Sequence, residues 1–282
     1  MAPRTRGKSS LTLFSRDARL YQIAFQAILL TVGVLVRDFA LDPRQMALCF
    51  AAGLATQWLW LKVLHLEHKG VLSALITCFG LSLLLRSDTL WVHPLAAVIA
   101  ISAKFVLRVN GKHVFNPANL GVIAALVLLP GTWVSPGQWG NDVALASWFV
   151  ALGGLVTQRA RRWDISWVFL AAWLGLVAAR VLWLGQPWTI FLHQFTNGGL
   201  LLFAFFMISD PMTIPNRRSA RIGYAIFVAA LAFAWQFALF RTSGLLWALF
   251  LASPLVPLID WRWPGEKFNW RPEPARNNAS AR

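Results

Sequence analysis

Four short polar stretches interrupt an otherwise apolar chain, and each carries groups that could hold a ligand or turn a backbone. The first runs Gly111-Lys112-His113-Val114-Phe115-Asn116-Pro117-Ala118-Asn119. Pro117 restricts Asn116 to extended geometry, and Asn119 could cap the helix that follows. Beside that broken backbone, one imidazole and two amides could hydrogen-bond the edge of a planar heterocycle or a quinone. A capped re-entrant turn would use the same residues. The second stretch is His193-Gln194-Phe195-Thr196-Asn197-Gly198-Gly199, whose paired glycines permit close approach of a helix or a ligand. Polar side chains in the middle of an apolar segment are costly unless they face a partner or a cavity. His193 could ligate a haem, but one His fills one axial position and His93 belongs to the opposite edge, so a bis-His haem is not expected. The third stretch is Asp210-Pro211-Met212-Thr213, followed by Arg217, Arg218 and Arg221. It reads either as a turn cap with a topology signal or as a polar site for a hydroxyl, a phosphate or an ion. The fourth, Pro257-Leu258-Ile259-Asp260, ends near Arg262, and an interfacial ion pair between Asp260 and Arg262 is the simpler reading.

The elements that must position these groups are membrane helices. Only 13% of the 282 residues are charged and 57% are hydrophobic, with a mean hydropathy of +0.57. A soluble domain carries about a quarter of its residues as charged groups, and no soluble core of this size could absorb so much apolar surface. Sixteen tryptophans against two tyrosines suit helix ends anchored at the headgroup level. A spanning helix needs about 20 mostly apolar residues, and the pattern predicts spans near 20–36, 46–61, 71–86, 89–107, 119–134, 142–158, 165–184, 189–209, 222–240 and 243–259. The expected fold is therefore an all-α integral membrane protein of about ten transmembrane helices. A basic N-tail covers 1–19, a single transmembrane domain 20–260, and a partly disordered C-tail 261–282.

Charge orients these spans. With ten of them and a cytoplasmic N-terminus, all but five of the 26 Lys and Arg residues fall on the inner side. The five outside are Arg37, Arg44, Arg86, Arg180 and Arg241, so both termini are expected to be cytoplasmic. The net charge of +15 is spread in short clusters between apolar stretches, which fits orientation and anionic lipid and not nucleic acid. Cys49 and Cys78 stand apart from any C-x-x-C pair and read as packing residues. Signatures for nucleotide phosphates, zinc proteases and serine hydrolases are missing from the sequence, as is a visible internal repeat.

Taken in order, the motifs resemble one family. Lys69-Gly70-Val71-Leu72-Ser73-Ala74-Leu75 opens the third span, and Phe115-Asn116-Pro117-Ala118 follows in the fourth loop. Pro130 and Trp133 end the fifth span. Gly198-Gly199-Leu200-Leu201-Leu202 then leads through Ala204-Phe205-Phe206 into Asp210-Pro211-Met212-Thr213, and Val256-Pro257-Leu258-Ile259-Asp260 closes the set. This succession is similar to the RnfD/NqrB family, the integral-membrane flavin subunits of the Rnf complex and of the sodium-translocating NADH:quinone reductase, over about residues 65–265.

The resemblance implies ten helices, a multi-pass place in a bacterial inner membrane, and electron transfer within a multi-subunit redox complex, with quinone among its partners. It implies a non-covalent flavin (riboflavin or FMN) or a quinone at an inner site lined by His113, Asn116, Asn119 and Asp210, with His193 and Asn197 above it. Asn116 and Pro117 match the family's N-P-F-N-P-A loop, whereas His113 and Val114 replace its first Asn-Pro. Pumping members bind FMN through a Thr in an S-x-A-T segment after the fifth span. Here that stretch is only about Gly131 to Asn141, and its one threonine, Thr132, does not match. Covalent FMN is therefore not expected, and the chain resembles short Rnf-D-like proteins found outside full pumps. A non-redox transporter or membrane scaffold on the same fold is the alternative, and a stand-alone enzyme is not expected, since no nucleophile–base pair or metal-ligand set is visible.

Overall fold

A computed structural model describes residues 17–36, 41–66, 70–135 and 143–268. Most of both tails, Arg37, Lys69 and the stretch 136–142 lie outside the described residues. The structure is mostly helical. In chain order the elements are α1 (Ala18–Leu35), α2 (Pro43–Val63), α3 (Val71–Leu84), β1 (Leu85–Ser87), α4 (Val92–Val106), β2 (Arg108–Val109), β3 (Lys112–His113) and α5 (Pro117–Leu128). Then come β4 (Thr132–Val134), α6 (Val143–Arg159), α7 (Trp163–Trp183), α8 (Trp188–Phe195), α9 (Gly198–Leu202), α10 (Arg218–Phe233), α11 (Gly244–Ala252) and α12 (Leu255–Arg262). Helices α9 and α10 each continue as a π-helical turn, over Phe203–Met207 and Ala234–Ala238.

Among the described residues three helices are long and apolar enough to cross a bilayer: Pro43–Val63, Trp163–Trp183 and Arg218–Ala238. Two bent pairs raise the number to five if each counts as one span: α8 with α9, bent by 44°, and α11 with α12, bent by 47°. The remaining apolar helices are shorter, because polar residues cut the expected spans. Leu85 leaves the α3 path at φ −81°, ψ 140°, and β1 pairs antiparallel with β4 in the register Leu85↔Val134, Arg86↔Trp133, Ser87↔Thr132. The third and fifth expected spans thus each end in extended chain, which this short ladder satisfies where no helical bond is available.

The helix starts follow their caps. Asp17 accepts the Arg19 N–H at 3.0 Å, and Asp42 accepts the Arg44 N–H at 2.8 Å ahead of Pro43. At α5 the cap is Asn116 and not Asn119: Asn116 Oδ1 accepts the Asn119 N–H at 3.1 Å, with Pro117 in the first turn. The extended geometry that Pro117 imposes, φ −62° and ψ 123° at Asn116, is what makes the earlier residue the cap. Asn197 caps α9 through the Gly199 and Leu200 N–H groups at 2.8 and 3.2 Å.

Helix packing repeats with an offset of five segments. Helix α1 packs on α3, α2 along α4, and α4 on α5. In the second half α6 packs on α9, α7 along α10, and α10 on α11. The two halves meet through α1 with α6 and α5 with α11. This repeat is carried by backbone arrangement and is not visible in residue identity.

Candidate functional site: two cavities that share a wall

A cavity of about 290 Å³ opens among α1–α5, the β2–β3 hairpin and the turn after α9. It gathers three of the expected site residues, His113, Asn116 and Asp210. Asn116 Nδ2 donates to the Met207 carbonyl and to Asp210 Oδ2, each at 3.4 Å, so the α5 cap is tied to the turn 91 and 94 residues away. Asp210 also accepts the Met212 N–H at 3.0 Å through Oδ1, while its carbonyl accepts from Thr213. The turn-cap reading of Asp210 therefore holds alongside its place in the cavity. Burial pushes its carboxyl above the ordinary carboxylate range, against the Met212 N–H and the nearby Lys104 and Lys112 charges.

His113 sits on β3. Its Nδ1 lies 3.1 Å from the Lys104 carbonyl, which can only accept, so Nδ1 carries the proton and Nε2 remains an acceptor. Burial, and then the Lys104 and Arg108 charges, push its pKa down to about 4. The imidazole is neutral at ordinary pH.

The other expected residues are placed elsewhere. Asn119 Nδ2 donates to the Leu246 carbonyl at 3.1 Å, a link between α5 and α11, and does not line the cavity. His193 is exposed on α8 and lines neither cavity. Asn197 faces a second cavity of about 440 Å³, with Gln194, Gln236, Arg241 and Trp173 in its walls. The six residues therefore do not form one site. Leu84 and Met207 line both cavities and form the septum between them.

The cavity also holds polar residues outside the expected set. Gln22 and Gln26 lie one turn apart on α1, Gln57 comes from α2, and Lys104 comes from the last turn of α4. Lys104 is 5% exposed, and its ammonium donates to Gln57 Oε1 at 3.0 Å. Gln26 Oε1 is buried with no hydrogen-bond partner among the described residues. A signal for Lys104 exists in the sequence, since an ionisable residue inside an expected span marks a functional position. The charge count instead takes it as one more orienting charge on the inner side.

Beside the cavity the β2–β3 hairpin and the start of α10 are held by conventional pairs. Lys112 donates to Asp260 at 2.8 Å, to Asn216 Oδ1 at 3.3 Å and to the Ile214 carbonyl. Asp260 in turn accepts both Asn216 N–H groups, at 2.7 and 2.9 Å. Its partner is thus Lys112 and not Arg262, whose guanidinium stacks over Trp263 at 5.5 Å. Asp164 accepts two bonds from Arg221, at 3.1 and 2.8 Å. Among the described residues no cluster of His, Cys, Asp or Glu could hold a metal.

Residues 131–268 match the family described as NQR2, RnfD, RnfE. The D component of the ion-translocating oxidoreductase complex of Stutzerimonas stutzeri is 32% identical over 146 residues, covering 52% of this chain and 36% of that protein. The component of the same name from Salmonella newport (strain SL254) is 34% identical over 128 residues, covering 44% and 34%. The chain thus spans about a third of the length of these relatives. The Asp210 turn falls within the family match, whereas Asn116 precedes it. Over residues 131–268 the chain is thus similar to the NQR2, RnfD, RnfE family, and these relatives point the same way.

Proposed function

We propose that this chain is a membrane subunit of an electron-transport complex, and that its inner cavity binds a flavin or a quinone non-covalently. The observation that carries the reading is the meeting of Asn116, His113, Asp210 and Lys104 in one cavity of about 290 Å³, near the lower end of small-molecule sites. The polar set fits such a ring. Lys104 is a donor, His113 Nε2 and the unpartnered Gln26 Oε1 are acceptors, and a flavin edge presents partners for both kinds, a quinone its carbonyl oxygens for the donor. The ring would supply the one- and two-electron chemistry, and the protein would supply its position and electrostatic surroundings.

The non-covalent mode is supported by Thr132. Its hydroxyl donates to the Ala125 and Leu129 carbonyls at 3.1 and 2.8 Å, capping the end of α5. The helix order supports ten spans with both termini cytoplasmic in a bacterial inner membrane. An odd offset of five segments between two similar packing patterns means that the second half runs opposite to the first. Electrons would pass between partner subunits, as the relatives' name suggests for a complex, and the quinone pool.

The test is an absorbance spectrum of the purified full chain, recorded before and after acid precipitation. Flavin released into the supernatant is the expected result, and protein with neither flavin nor quinone binding sinks the proposal. A transporter reading is favoured by the two cavities that meet at Leu84 and Met207 beside bent helices. Uptake of a solute by vesicles containing this chain alone, without bound flavin, would select it.

A further inference from the structure

Arg86, Lys104, Arg162 and Arg221 are the buried cations among the described residues. Arg86 donates to the Ser82, Leu83 and Leu85 carbonyls at the end of α3, and Arg221 pairs with Asp164. Arg162 donates to the Arg161 carbonyl and lies over the Phe268 ring. Lys104 differs, because it stands in a cavity wall. Among the described residues its ammonium meets one side chain, and that side chain is the neutral Gln57. A buried charge without a counter-charge is costly. The acid that shares its cavity, Asp210, is already engaged by the Met212 N–H and the Asn116 amide. In the same cavity Gln26 presents a buried carbonyl oxygen with no partner among the described residues. One strong donor is underused and one acceptor is unused, and both belong to the cavity.

We propose that Lys104 is the binding group for the oxygen-bearing edge of the ring in this cavity, so that the cavity holds the reduced, anionic ring more tightly than the oxidised, neutral one. The inference rests on the flavin or quinone reading above. A neutral ring that takes up two electrons and one proton from a reductant gains one negative charge, shared with its carbonyl oxygens. An ammonium in a poorly polarisable wall stabilises that charge far more than it would in water. Gln57 holds the ammonium in place and, being neutral, does not cancel it. Gln26 Oε1 accepts a ring N–H where the ring has one, which selects a flavin over a quinone.

The experiment uses the purified full chain in detergent, loaded with riboflavin or with a short-chain quinone and titrated anaerobically with dithionite in the presence of mediator dyes. Lys104→Met is expected to keep oxidised riboflavin within about threefold of wild type. It should bind the reduced form about tenfold more weakly, which lowers a two-electron midpoint potential by about 30 mV. Lys104→Arg restores most of the shift. Gln57→Leu, which removes the amide oxygen that competes with the ring for the ammonium, moves the potential upward. A loaded Lys104→Met protein with an unchanged potential overturns the role of Lys104 and leaves the cofactor reading standing. A wild-type chain that takes up neither riboflavin nor quinone overturns both. Gln26→Leu weakens riboflavin and spares the quinone, and equal loss of the two counts against the edge assignment.

Discussion

Lys112 and Lys104 stand eight residues apart and are bonded in opposite ways. Lys112 closes a network of paired charges: Asp260, Asn216 and the Ile214 carbonyl on one side, and Arg221 with Asp164 linked through the Asn216 carbonyl at 2.5 Å. It ties the β2–β3 hairpin to the foot of α10 and to α12. Lys104 has a neutral amide and a cavity. Paired charges fix geometry, whereas a buried charge left without a counter-charge is costly and marks a candidate functional position. The β2–β3 hairpin therefore serves both a clamp, through Lys112, and a site, through His113 in the cavity wall.

If that division is right, mutations in the clamp should act on stability and mutations in the cavity on ligand. Asp164→Ala leaves the Arg221 guanidinium, 5% exposed, without its carboxylate, and should cost about 3–5 kcal/mol. Loss of the monodisperse peak in size-exclusion chromatography, or a large fall in melting temperature, is the measurement. Asp260→Ala should cost less, about 2–3 kcal/mol, because both partners keep 12% exposure and Lys112 retains the Ile214 carbonyl. Lys104→Met is expected to leave the melting temperature of the ligand-free protein unchanged or raised. A fall as large as that of Asp164→Ala would erase the distinction.

Asn116→Ala tests the one residue that belongs to both regions. As the α5 cap it should cost about 1 kcal/mol, and as the donor to Asp210 it should also weaken riboflavin binding. Asn116→Asp keeps the cap through its carboxylate but sets a second acid against Asp210, so stability should largely return while binding does not. Recovery of both would mean that the amide matters for the helix alone.

The helices are legible in the sequence and much of the wiring is not. Apolar runs locate helices because burial and hydrogen bonding are local there, and each expected span holds a helix or a bent pair. Crossing length is another matter. Helices α3, α4 and α5 fall short of a full span, with 14, 15 and 12 residues, since Leu85–Ser87 and Thr132–Val134 pair as strands that no local pattern announces. Asn116 is legible because Pro117 marks it, and Asp210 because Pro211 does. Asn119, His193 and Asn197 carry equally polar side chains, but whether such a residue caps a helix, bridges two helices or faces a cavity depends on contacts such as Asn119 with Leu246, 127 positions away. The same distance hides Lys112–Asp260, where Arg262 stands nearer in sequence. Lys104 and Gln57 are hidden differently: the charge count spends Lys104 on orientation, and nothing in the chain links the two residues until α2 packs along α4.

The smallest effect separates the cavity from the clamp by pH. His113 titrates near 6.5 when unfolded and at about 4 in the fold, where burial and the Lys104 and Arg108 charges oppose its cation. Between those values the unfolded chain binds more protons than the folded one, so the contribution of His113 to stability is complete above about pH 6.5 and is lost as pH falls toward 4. Asp210 works in the other direction. Its carboxyl is raised by burial, so the folded state holds the extra proton above 3.8 and stability falls as pH rises from there through the raised folded value. The two contributions partly cancel in the wild type. His113→Gln removes the first alone, so the fall in melting temperature that wild type shows between about pH 6.5 and 4 should lose the His113 share. Superimposed curves for the two proteins would mean that His113 meets enough water to titrate normally, and that the cavity wall beside Lys104 is wetter than its burial implies.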